Sequence, residues 1–154
     1  MKLSAPFGSV WLNADETGLT NISFVETKDA GTNPFVQQAA DELTDYFNGK
    51  RQQFSVPLSI RVGTPFQQSV WHALQDIPFG EIRSYKDIAQ AVQSPKAVRA
   101  IGQANSKNPL PIIIPCHRVI GANGHLTGYL GSSENQGLLI KKTLLLLEDS
   151  TRTF

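Results

Sequence analysis

Residues 84–119 read SYKDIAQAVQSPKAVRAIGQANSKNPLPIIIPCHRV, and the order of signals in that stretch decides the fold. Ser84 precedes a short helical pattern through Tyr85, Ile88, Ala89 and Val92. Ser94-Pro95 opens a second, through Val98, Ile101 and Ala104, because serine caps a helix and proline fits its first turn. The tight Gln93-Ser94-Pro95 connection makes the pair a helix-turn-helix candidate; an αα-hairpin that merely packs fits the same spacing. After Asn108-Pro109, the run Leu110 to Pro115 is apolar, β-branched and closed by prolines. It reads as an extended, buried segment that delivers Cys116 to a turn. Gly121-Ala122-Asn123-Gly124 then reads as a hairpin signal.

Working outward, Thr64-Pro65 is a cap and first-turn proline for a helix whose apolar face is Phe66, Val70, Trp71 and Leu74. A last helix runs roughly from Glu134 to Glu148, with Leu138, Leu139, Leu145 and Leu146 on its apolar side. Upstream, Ser9 to Leu12 and Leu19 to Val25 are short β-like runs separated by turn residues. Asn33-Pro34 starts a helix with Phe35, Ala39, Leu43 and Phe47 at helical spacing, ending at Asn48-Gly49. Phe54 to Ile60 alternates as a strand, which Pro57 confines to an edge. The fold class is therefore α+β: a small N-terminal β-sheet with a helix over residues 1–62, and a mostly helical domain with the helix-turn-helix over residues 63–154.

The chain has 154 residues and a net charge of +1, so no global basic field marks it for nucleic acid; any such surface comes from local clustering. One cysteine allows no internal disulfide and no cysteine-rich zinc site. The first ten residues lack the layout of a signal peptide, and no apolar run reaches the length of a membrane helix. The expectation is a cytoplasmic protein with no membrane partner.

A lone cysteine is usually inert packing. Pro115, which stiffens the backbone, and His117 and Arg118, which stand where they would stabilise a thiolate, argue for chemistry at Cys116. Pro115-Cys116-His117-Arg118-Val119 resembles the active-site signature of the O6-alkylguanine–DNA alkyltransferases. Thr64-Pro65-Phe66-Gln67 with Val70-Trp71, Ile77 to Glu81 with Ser84-Tyr85, Ala97 to Gly102, Asn108-Pro109 and Ile112 to Ile114 extend that resemblance across Gly63 to Glu148.

The resemblance implies a suicide DNA-repair protein that acts once, as a monomer, on double-stranded DNA containing alkylated bases. It moves an alkyl group from O6-alkylguanine, with O4-alkylthymine as a second lesion, onto Cys116. His117 would take the thiol proton through a water and Glu148 would orient His117, the logic of nucleophile, base and orienter. Tyr85 would donate to the departing guanine and Asn108 would tie the recognition helix to the active-site segment. Val119, Tyr129, Leu130 and Gly131 would line the substrate pocket. The second helix of the helix-turn-helix would enter the minor groove, with Arg99 filling the gap left by a flipped nucleotide. Small residues at Ala97, Ala100, Gly102 and Ala104 would allow close approach. Lys107 and Arg118, together with Lys86 and Lys96, would contact phosphates. No cofactor and no metal are implied, since the cysteines of the family's zinc-bearing members have no counterpart here.

One departure concerns the loop after Tyr129, which is about five residues longer, from Ser132 to Gln136, than the family's usual Gly-rich lid, with Leu130 at a usually small or polar position. The alternative reading is a non-catalytic alkyl-lesion sensor, as in the alkyltransferase-like proteins, which lack the reactive cysteine. A sequence-specific helix-turn-helix regulator and a multiple-turnover cysteine hydrolase are further alternatives.

Overall fold

The computed structural model describes residues 1–29, 31, 33–124, 126, 129 and 134–154. Two compact units emerge: Met1–Val62 with Pro109–Pro111, and Gly63–Asn108 with Ile112–Phe154.

In the first unit, β1 (Lys2–Ala5), β2 (Gly8–Ala14) and β3 (Leu19–Ser23) form an antiparallel sheet in sequence order. Lys2 pairs with Trp11, and Leu12 with Ile22. The alternation along β2 turns Val10 and Leu12 into the core. β1 is absent from the sequence reading, because Pro6 and Gly8 look like breakers; instead they make the turn, with Gly8 at φ 136°. Helix α1 (Pro34–Phe47) starts as expected, the Asn33 side chain accepting from the amides of Phe35 and Val36. Its buried face is Val36, Ala39, Ala40, Leu43 and Tyr46, rotated from the expected stripe, so Phe35 and Phe47 lie off the core.

The expected strand Phe54 to Ile60 does not form. Glu42 reaches from α1 and takes the amides of Ser55 and Val56 at 2.8 and 3.1 Å, while Pro57 has no amide to give. What survives is one parallel bridge, Leu19 with Leu58. Gly18 makes it possible, since a Cβ there would lie 2.6 Å from the Pro57 carbonyl oxygen.

In the second unit, α2 (Pro65–Leu74) begins with a capping box between Thr64 and Gln67 and buries Val70, Trp71 and Leu74. Strand β4 (Arg83–Ser84) leads into α3 (Tyr85–Ala91), capped reciprocally by Ser84 and Asp87. Gln93, at φ 59°, makes the connection tight. Helix α4 (Val98–Ser106) begins later than expected: the Ala97 amide closes a turn on Ser94, and no side chain caps the helix. Its apolar face, Ile101 and Ala104, packs towards α2, with Trp71 Nε1 donating to the Ala104 carbonyl at 2.8 Å.

The segment from Leu110 to Pro115 is largely buried, as expected, but not extended: a turn at Ile112, held at φ 77°, reverses it. A single 3-10 turn, Cys116–Arg118, follows, and then β5 (Val119–Ile120). β5 pairs in parallel with β4, so the glycine-rich turn after it, closed by the Gly124 amide on Gly121, is no hairpin between described strands. Helix α5 (Glu134–Glu148) buries Ile140, Lys141, Leu144 and Leu145. Leu139, expected on that face, is 58% exposed. No helix among the described residues is long and apolar enough to cross a membrane.

Candidate active site

Cys116 opens the 3-10 turn and is fully buried, as is His117, with Arg118 nearly so. Two asparagines hold the backbone on either side of the cysteine. Asn108, just past α4, donates to the Ile114 carbonyl at 2.8 Å. Asn105, inside α4, donates to the Cys116 carbonyl at 3.2 Å. Asn105 was not singled out from the sequence. The available signal was its position four residues after Ile101, which puts an amide on the buried face of an amphipathic helix. The polar groups of Asn108 and Tyr129 also favour the ionised form of the cysteine. Burial pushes the thiol above its ordinary range, and those two side chains pull the other way.

Behind the thiol, His117 Nε2 lies 2.8 Å from Glu148 Oε2. A carboxylate at Nε2 requires the proton there, leaving Nδ1 as the basic nitrogen. Nδ1 is buried and has no hydrogen-bond partner among the described residues. Arg118 grips the same carboxylate from the other side: Nε to Oε1 at 2.8 Å and Nη2 to Oε2 at 3.0 Å, the bidentate geometry suited to a guanidinium. Its Nη1 donates to the Ile77 carbonyl at 2.6 Å, and the Gly80 amide adds a bond to Glu148 at 3.3 Å.

Burial would raise the Glu148 carboxyl, but the hydrogen bonds and charges of His117 and Arg118 outweigh it and hold Glu148 well below the usual range. Burial also lowers His117, against the opposing pull of Glu148, so the imidazole rests neutral. The expectation that Arg118 touches phosphates is therefore corrected. Its guanidinium is engaged inside the protein, where it neutralises the buried carboxylate of Glu148.

Tyr85 is the first residue of α3 and is partly exposed; the Lys141 ammonium lies 5.9 Å from its ring centroid. Val119 and Tyr129 are buried. Leu130 and Gly131 lie outside the described residues, as do Ser132 and Ser133 of the enlarged loop. On α4 and its approach, Arg99 and Ala100 are exposed, and Ala97 and Gly102 partly so. Lys107, Lys86 and Lys96 are exposed too. Ala104 is corrected: it is buried against α2 with its carbonyl taken by Trp71, so it belongs to the packed face. A Cβ built on Gly102 would meet nothing within 4 Å, so no packing among the described residues requires a glycine there. Among the described residues, no group of three or more His, Cys, Asp or Glu side chains stands ready to hold a metal. The arrangement brings a buried thiol, a neighbouring imidazole and a carboxylate locked by an arginine into one turn and helix end, with an exposed helix carrying small residues and an arginine.

A family model described as "6-O-methylguanine DNA methyltransferase, DNA binding domain" matches residues 65–150, and one described as "6-O-methylguanine DNA methyltransferase, ribonuclease-like domain" matches residues 2–60. The chain is 54% identical to the constitutive methylated-DNA–protein-cysteine methyltransferase of Bacillus subtilis over 138 residues, covering 90% of this chain and 76% of that protein. It is 46% identical to the methylated-DNA–protein-cysteine methyltransferase of Methanosarcina acetivorans, over 95% of each chain. Among solved structures, Mycobacterium tuberculosis OGT in complex with DNA superposes with a TM-score of 0.85 at 43% identity, covering 97% of this chain and 91% of that one.

Proposed function

The chain belongs to the 6-O-methylguanine DNA methyltransferase family, and from that premise we propose a division of labour among its residues. The reaction is DNA repair by transfer of an alkyl group from DNA to a cysteine of the protein, and its partner is DNA. One observation carries the assignment within the chain. It has a single cysteine, and that cysteine sits in a buried turn beside a histidine already locked to a carboxylate. The acceptor is Cys116.

The thiol proton passes to His117 Nδ1 through a water, and the resulting imidazolium is stabilised by Glu148, which Arg118 holds in place. The Cys116 sulfur then attacks the alkyl carbon. The new S–C bond forms as the C–O6 bond breaks, and its electron pair stays on the guanine oxygen. Tyr85 donates a hydrogen bond to the ring as that charge builds. In the sum, the thiol proton ends on guanine and the alkyl group on sulfur. The thioether is stable, so each molecule acts once.

Val119 and Tyr129, both buried, line the pocket. The target atom lies inside the duplex and must be turned out to meet a buried thiol. We assign that step to α4, with Arg99 filling the gap and Ala97, Ala100 and Gly102 at the minor groove, supported by their exposure and by the open space at Gly102. Lys86, Lys96 and Lys107 neutralise phosphates. Residues 1–62, joined by Pro109–Pro111, form the N-terminal β-rich domain, and the rest of residues 63–154 form the domain that binds and reacts. The protein works as a monomer in the cytoplasm and needs no cofactor.

Intact-protein mass spectrometry after incubation with a duplex carrying one O6-methylguanine tests the assignment. The expected result is a gain of one methylene equivalent, mapped to the peptide containing Cys116 and saturating at one per protein. Lesion-dependent DNA binding with no mass change would replace this reading with the non-catalytic sensor.

A further inference from the structure

We propose that Arg152, four residues beyond Glu148, is a positioning residue for the reaction. Its guanidinium holds the carbonyl of Gly80, and the turn fixed in this way presents its backbone to the Glu148–Arg118 pair behind His117. The inference rests on His117 serving as the base for transfer to Cys116.

The turn between α2 and β4, residues 77–80, carries no side chain that reacts, yet it touches both members of that pair. The Gly80 amide donates to Glu148 Oε1 at 3.3 Å, and the Ile77 carbonyl accepts from Arg118 Nη1 at 2.6 Å. The Phe79 ring centroid lies 5.9 Å from the Arg118 guanidinium carbon, within cation–π range. Glu148 offers Oε2 to His117 and both oxygens to Arg118, so the Gly80 amide is the backbone donor of the set. A carboxylate gripped from several directions keeps one orientation, and a base works through the orientation of its partner.

The turn has little of its own to hold it. Pro78 has no amide to give, and Gly80, at φ 82°, loses more conformational freedom on being fixed than any other residue type would. Its internal bond runs from the Glu81 amide to the Pro78 carbonyl at 3.1 Å. Arg152 Nη2 adds a restraint from outside, donating to the Gly80 carbonyl at 2.7 Å, the length of a charge-assisted bond. Arg152 is in turn aimed from the end of α5. Its amide donates to the Asp149 carbonyl at 3.3 Å, and its Nε stands 3.7 Å from Asp149 Oδ2. The Asp149 amide continues the helix bonding onto the Leu145 carbonyl at 2.9 Å. The chain thus closes a ring, from Glu148 through Asp149 to Arg152, across to Gly80 and back to the Glu148 carboxylate. A partly exposed ion pair such as Arg152–Asp149 adds little stability by itself. A ring that ends on the carboxylate behind the base acts on the reaction.

The test is the single-turnover alkylation of Cys116 by O6-benzylguanine in the full chain, followed over a concentration series and expressed per folded molecule. Because the chain has one cysteine, loss of free thiol reports that reaction alone. Arg152→Ala should lower the limiting rate about fivefold, the size of a modest coupling within one hydrogen-bond network. The benzylguanine concentration giving half that rate should not move, since Arg152 acts on the base and not on the pocket. Arg152→Lys, which keeps a cationic donor without the planar fork, should fall between wild type and Arg152→Ala. On a Glu148→Gln background the further loss from Arg152→Ala should shrink to near nothing, because the turn no longer has a carboxylate to position.

A wild-type limiting rate in Arg152→Ala overturns the proposal. So does the same loss with and without Glu148, since Arg152 would then act through some other group. Should Arg152→Ala fail to fold, Arg152→Met keeps the apolar stem, removes the donors and carries the same cycle. If wild-type Cys116 is never alkylated, the reading beneath the proposal fails. If Cys116 is alkylated and the Arg152 variants match wild type, only the role of Arg152 fails.

Discussion

Each unit of this protein takes a glutamate out of water, and the two differ in what meets it. Glu42, on α1, is surrounded by neutral donors: the amides of Ser55 and Val56, the Ser55 hydroxyl at 2.7 Å and the Gln38 amide at 2.9 Å. Glu148, at the end of α5, is met by an imidazole and a guanidinium. Both carboxyls are held below the usual range, in each case because hydrogen bonds outweigh the burial that would raise them. A depressed carboxylate is therefore no mark of catalysis by itself. Neutral partners make Glu42 a clamp on the segment that would otherwise be a strand. Partners that can carry or gain charge make Glu148 part of a proton-handling assembly.

The sharpest way to break that contrast is to remove one negative charge from each. Glu148→Gln should slow transfer from O6-methylguanine duplex at least about 100-fold, the lower range for a general base deprived of its support. It should also cost about 3–5 kcal/mol in denaturant unfolding, because Arg118 is left buried and uncompensated. Glu42→Gln should cost about 1–3 kcal/mol, the loss of buried hydrogen bonds, and leave the rate per folded molecule unchanged. Equal slowing by the two variants would erase the distinction.

Acid unfolding sharpens it. A carboxyl lowered in the folded state stabilises above its unfolded value of 4.5 and loses that contribution as pH falls towards its folded value. Each Gln variant should thus lose part of the acid limb of the stability curve. Only for Glu148 should the same change also remove activity at neutral pH.

Next in size is the contrast between two arginines that look alike in sequence. Arg118 is buried in the assembly and Arg99 is exposed on α4. Arg99→Ala should slow repair of duplex about tenfold while leaving reaction with free benzylguanine nearly intact, since a single helix-borne contact is worth about 1–2 kcal/mol. Arg118→Ala should slow both substrates and destabilise the fold, without changing the salt dependence of DNA binding. Equal losses for Arg99→Ala on duplex and free base would rule out its role in holding the gap open.

These contrasts also measure what the sequence made readable. Helix starts with capping chemistry were legible: Asn33-Pro34, Thr64-Pro65 and Ser84 each begin a helix as expected, because the cap and its partner lie within three residues. Signals that depend on distant partners were not. The alternation from Phe54 to Ile60 is a good strand pattern, and only Glu42, more than ten residues away, diverts its amides. The apolar run before Cys116 gives no hint of the turn at Ile112, where a β-branched residue sits at positive φ. In the site, adjacency made His117 legible beside Cys116, and family likeness supplied Glu148, Asn108 and Tyr85. Lys141 and Asn105 went unnoticed because polar residues inside an amphipathic helix read as surface until burial is known. Arg118, in the turn that Cys116 opens, was misjudged because its buried partner Glu148 lies 30 residues away.

The smallest expected effect sharpens the division between faces of α4. Gly102 is partly exposed in mid-helix, and a Cβ added there meets nothing. Glycine in a helix interior destabilises relative to alanine by about 1 kcal/mol, so Gly102→Ala should raise the thermal midpoint slightly. If the glycine serves close approach to DNA, the same change should weaken duplex repair a few-fold and spare the free base. At Ala104 the order reverses. That residue is packed against α2 with its carbonyl bonded to Trp71, so Ala104→Ser should cost stability and leave DNA affinity per folded molecule unchanged. A Gly102→Ala variant that is both more stable and fully active on duplex would mean that this face of α4 stays clear of the groove.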